Sequence, residues 1–130
     1  MKIIAGCIGL LVMAQAAAAD LHPLLAQLSA DLTRARSLPM GTRTDYACPA
    51  NLDQLNGFKL VEVVAALPKP DFEMKNSAGF FPTSFEAGAS ASYFLTSPTP
   101  AGRRGGGFPE ISFIADTSGT VRKITCHYSR

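Results

Sequence analysis

Tryptophan is absent from the 130 residues, histidine occurs twice and cysteine three times. So few imidazoles and thiols exclude a multi-histidine metal cage and a zinc ribbon. Neither sign of charge dominates: 12 Lys and Arg stand against 10 Asp and Glu, a formal net charge of +2. That balance excludes the strong basic field of a nucleic-acid binder and an acidic tail. No apolar run beyond the first 19 residues is long enough to span a bilayer, which excludes a polytopic membrane protein. No internal repeat divides the chain. What remains after position 19 has the length of one small domain, 20–130, too short for two cores of ordinary size.

The first 19 positions read as a leader. Lys2 supplies a positive start, Ile3 to Met13 is apolar, and Ala16-Ala17-Ala18-Ala19 precedes Asp20. A short apolar segment followed by small residues is the pattern of a cleavable signal peptide, 1–19. Ile4-Ala5-Gly6-Cys7 has the form of a lipobox. Only Met1, Lys2 and Ile3 lie upstream of it, however, and the apolar run continues past Cys7 where a lipid-modified cysteine is followed by a polar tether. The expectation is therefore export without lipidation, to the periplasm or cell envelope.

Cleavage leaves Cys48 and Cys126. An even pair in an exported chain reads as one disulfide with one connectivity. The two lie outside any C-x-x-C spacing, which argues against a redox-active pair. The loop they close is 78 positions long.

The remaining pattern is helices first and strands last. Leu21, Leu24, Leu25, Leu28, Leu32 and Ala35 recur at three- and four-residue spacing and predict a helix over 20–37, with Asp20 near its cap and Pro23 in its first turn. Pro39 and Gly41 stop it. Asn51 can cap a single turn through Leu52 and Leu55, closed by Gly57. Leu60, Val63, Val64 and Leu67 predict a second helix over 59–67, ended by Pro68 and Pro70. Strands are predicted at 92–96, 108–116 and 120–128, the last two joined by a turn at Asp116-Thr117-Ser118-Gly119. Phe80, Phe81 and Phe85 read as a weaker strand or a loop over the core. Ile111, Phe113 and Ala115 share one face of their strand, and Ile124, Cys126 and Tyr128 one face of theirs. The order predicts an α+β domain: two helices packed on one face of a small antiparallel sheet, with the disulfide tying the helical layer to the last strand.

Gly57-Phe58-Lys59, followed by Val63, Leu67 and Pro70-Asp71, resembles the motif of the SmpA/OmlA family. That family includes the outer-membrane assembly lipoprotein BamE and has a fold similar to β-lactamase inhibitor protein. In its pattern a Gly, a hydrophobe and a polar residue open a helix, and Val and then Leu-Gly-x-Pro follow. An aromatic-containing strand at Tyr93 and a Phe113…Asp116-x-x-Gly119…Val121 hairpin carry the resemblance over residues 51–128. The chain departs from the pattern at Pro68, where the family has Gly, and it offers no cysteine at the expected mature N-terminus. The resemblance implies a non-enzymatic, envelope-located binding domain, with outer-membrane association among its expected contacts.

Two features are candidate contact sites. Arg103-Arg104-Gly105-Gly106-Gly107 sets two guanidiniums beside glycine amides, chemistry suited to an anion, although the GK[ST] ending of a P-loop is missing. Lys123, Thr125 and His127 share the sheet face opposite Cys126, with Glu110 and Ser112 on the matching face of the neighbouring strand, a surface suited to a protein partner. A histidine base needs a nucleophile and an orienting group, and nothing around His22 or His127 supplies both. His22, beside Pro23, reads as a solvated residue at the helix start. The expectation is a binding or scaffold module with no catalytic activity, cofactor, metal or nucleic-acid partner. The alternative is a secreted or periplasmic inhibitor that blocks an enzyme with the same sheet face.

Overall fold

The computed structural model describes residues 22–42, 46–98 and 109–128. The leader at 1–19 and the Arg103–Gly107 cluster lie outside the described residues. Helix α1 is Pro23–Ser37 and α2 is Leu60–Ala66, with a single 3-10 turn, η1, at Leu52–Leu55 between them. Four strands follow, β1 (Phe72–Met74), β2 (Ala87–Phe94), β3 (Pro109–Asp116) and β4 (Val121–Tyr128), in one antiparallel sheet of order β1-β2-β3-β4.

The apolar stripe of α1 explains its burial. Leu25, Leu28, Leu32 and Ala35 are buried, one turn apart. Its cap is His22 rather than Asp20: His22 Nδ1 accepts the Leu24 amide at 3.2 Å, and the ring stands edge-on to Phe58 at 5.6 Å. A helix start needs an acceptor for its orphan amides, and an unprotonated imidazole nitrogen supplies one here. In α2 Val63 is buried, as is Leu67 at its C-cap, and Leu60 and Val64 pack beside them. These side chains meet Ala91, Tyr93, Leu95, Ile111, Phe113 and Val121 from the sheet in one core, with Leu52 and Leu55 of the 3-10 turn closing its side. Two helices on one sheet face are thus what the layering predicts.

The disulfide is formed. Cys48 and Cys126 are bonded at 2.05 Å, with their Cα atoms 5.8 Å apart. Cys126 packs against the core, so the crosslink lies on the helical side of β4. Nine positions after Cys48 the chain meets β4 again: Gly57 N donates to Val121 O and Val121 N to Phe58 O, both at 2.8 Å, and Lys59 bridges Thr120.

The elements differ in places from the sequence reading: α1 starts at Pro23 and β2 ends at Phe94. β2 begins at Ala87, five residues before the predicted start: Ala-Gly-Ala-Ser carries little strand propensity, but Ala87 pairs with Asp116 of β3 and Gly88 O accepts the Ser77 amide. β1 is three residues long and too short to show a period. Of the two readings of Phe80, Phe81 and Phe85, strand or loop, the loop is the one found, with Phe80 61% exposed.

Candidate functional site

The pairing register decides which side chains share the sheet face turned away from the helices. Phe72, Ser92, Ser112 and Thr125 form one row across all four strands. Met74, Ser90, Ile114 and Lys123 form a second, and Phe94, Glu110 and His127 a third. Lys123, Thr125, His127, Glu110 and Ser112 are therefore brought together on one face, as alternation predicts.

Their accessibility differs. His127 is exposed, and its Nε2 stands 3.3 Å from Glu110 Oε2, a cross-strand pair with full ionic character only when the imidazole is protonated. Thr125 is half-buried. Lys123 donates from Nζ to the Pro82 carbonyl at 2.8 Å, drawing the 75–86 loop toward the row that contains fully buried Ile114. Ser112 is 1% exposed, and its hydroxyl lies 2.7 Å from that of Ser92. Two small hydroxyls facing each other satisfy one another in the sheet centre, so Ser112 is a structural residue and not a contact one. The accessible set is Glu110, Lys123, Thr125 and His127. Phe72, 49% exposed, lies across the sheet from Thr125 on the same face.

The β3–β4 turn is fixed by Asp116. Its Oδ1 accepts the Ser118 amide at 2.9 Å, the Ser118 hydroxyl at 2.6 Å and the Thr120 amide at 3.1 Å, and Oδ2 faces Arg122 at 3.4 Å. The Ser118 hydroxyl leads in holding this carboxyl below its usual range, with the Thr120 and Ser118 amides and Arg122 acting in the same direction. Gly119 completes the turn at φ +81°.

Two polar groups escaped the sequence reading. Arg36 reaches from the end of α1 to the Lys69 carbonyl and to Asp71 Oδ2 at 2.9 Å, and the same oxygen accepts the Phe94 amide at 2.7 Å. No local pattern pairs residues so far apart. Their surroundings form an open cavity of about 500 Å³ lined by Arg36, Lys69, Pro70, Asp71, Phe94 and the 96–98 segment. The Tyr93 hydroxyl is buried and has no hydrogen-bond partner among the described residues. Burial pushes this phenol well up, Glu73 and Asp71 add to the shift, and Arg36 opposes it.

A second open groove, about 460 Å³, is lined within the loop by Phe80, Phe81, Pro82 and Phe85. Among the described residues no group of three or more His, Cys, Asp or Glu could hold a metal ion, and no helix is long and apolar enough to cross a membrane. The chain matches no family model, no curated protein and no solved structure.

Proposed function

We propose that this chain is an exported binding or scaffold module of the cell envelope, of the SmpA/OmlA (BamE-like) type, contacting a protein or membrane component without catalysis. The observation that carries the reading is the sheet face opposite the helices. There Glu110, Lys123, Thr125 and His127 form a mixed-charge, partly accessible surface bordered by exposed Phe72. An antiparallel face that sets an exposed aromatic beside charged and polar side chains offers both apolar and hydrogen-bonding contacts to another surface. The Cys48–Cys126 bond agrees with an oxidising compartment such as the periplasm. The leader and the Arg103–Arg104 cluster belong to the same reading, the first as the export signal and the second as an anion contact.

Photo-crosslinking in native envelopes tests it. A benzophenone side chain placed at Thr125 should capture a defined envelope component, and the same group at exposed Gln27 on α1 should not. Charge reversal by Lys123→Glu should weaken the capture. Equal yields from both positions would sink the assignment of the face. Capture of a soluble enzyme from position 125, with loss of that enzyme's activity, would favour the inhibitor reading instead.

A further inference from the structure

We propose that Asn56–Gly57 is a deamidation site held closed by the pairing of the 57–59 segment with β4, so that modification follows each opening of that edge. The inference is independent of what the sheet face binds.

The chemistry needs only this dipeptide and water. Solvent base takes the Gly57 amide proton, and the nitrogen attacks Cγ of Asn56. The N–Cγ bond forms, the Cγ–Nδ2 bond breaks, and ammonia departs with a proton from water. Water then opens the succinimide at either carbonyl, giving aspartate or isoaspartate. Glycine is the most permissive following residue because no side chain shields its nitrogen. Both residues are exposed, and no atom lies within 4 Å of where a Gly57 Cβ would stand.

The folded geometry blocks this reaction in two ways. Gly57 N is committed to Val121 O at 2.8 Å. Asn56 has ψ 138°, an extended backbone in which Cβ is turned well away from the eclipsed position beside the next nitrogen that the five-membered ring requires. Rotating Asn56 breaks the Gly57–Val121 bond and strains its neighbours, the Val121–Phe58 bond and the Lys59–Thr120 bridge. Local opening must therefore precede attack. The competing site, Asn76–Ser77, differs: Ser77 is buried, bonded to Gly88 O at 2.7 Å, and carries a side chain that hinders its nitrogen even when unfolded. An isoaspartyl product would insert an extra backbone carbon just before the paired segment. Loss of ammonia makes the change one-way, whichever product forms.

The test uses the full oxidised chain at mildly alkaline pH, followed by mass and by peptide mapping that separates isoaspartyl products. Folded protein should deamidate at Asn56 at least about tenfold more slowly than the same chain in guanidinium, and hydrogen exchange of the Gly57 amide should be slowed by a similar factor. In guanidinium Asn56 should outpace Asn76. Equal folded and unfolded rates at Asn56 would overturn the gating. So would a protected Gly57 amide without slowed deamidation. Faster reaction at Asn76 in the unfolded chain would overturn the site.

Discussion

Arg36 and Asp71 are 35 residues apart in sequence and 2.9 Å apart in space. The pair joins the end of α1 to the segment before β1, and Asp71 passes the connection to β2 through the Phe94 amide. Both side chains are less than a third exposed, so the bond is partly shielded from water. Arg36→Ala or Asp71→Ala should each lower stability by about 1 kcal/mol, with a coupling of about 0.5 kcal/mol in the double mutant. Urea unfolding of the four proteins of the cycle measures it. Strictly additive losses would show that the two groups do not act together.

The crosslink is expected to contribute more. Closing 78 positions removes much of the freedom of the unfolded chain, and replacing both cysteines by serine should cost about 2–5 kcal/mol. Reduction of the unmutated protein should move the urea midpoint by a similar amount. An unchanged midpoint would mean that the loop is already constrained without the bond.

Gly88 is required for a steric reason. A β-carbon there would stand 2.5 Å from the Asp116 carbonyl oxygen, where β2 and β3 approach beside a register shift. Gly88→Ala should destabilise by about 1–3 kcal/mol, as overpacking in rigid backbone does. Thermal unfolding decides it, and an unaltered Tm would show that the strands can part at no cost.

Tyr93 makes the opposite prediction. Its hydroxyl is buried without a partner among the described residues, so Tyr93→Phe should leave stability unchanged or raise it by up to about 1 kcal/mol. The raised phenol also gives a sign for alkaline pH. The unfolded chain releases this proton near the ordinary tyrosine value of about 10, while the folded chain holds it. Tyr93's contribution is thus full below that pH and declines as pH rises above it. In the Phe variant that part of the alkaline loss should vanish, which urea midpoints on either side of the transition will reveal.

Much of the layering is legible in the sequence because it rests on period. Leucines of α1 and valines of α2 repeat at helical spacing, and β3 and β4 alternate around an Asp-x-x-Gly turn. Where side chains are small, the period falls silent, which is why the start of β2 was hidden. Where an extra residue intrudes, it misleads. Ile114 pairs with Lys123 but Ala115 with Val121, so Arg122 is the added residue of a bulge. Simple alternation would put Val121 on the Lys123 face, yet it is fully buried in the core. The contact face was legible as a register, since Glu110 does meet His127. The closure of Ser112 was not, because it depends on Ser92 in another strand. Arg36–Asp71 and the orphan Tyr93 hydroxyl likewise belong to tertiary proximity alone.

The bond between positions 48 and 126 also imposes an order of events. Made from its amino end, the chain must extend 78 positions past Cys48 before the two sulfurs can meet. Until β4 is made, the core beneath α1 lacks Val121 and the packing of Ile124 and Cys126. The crosslink closes only with β4, after both helices and the first three strands have been made.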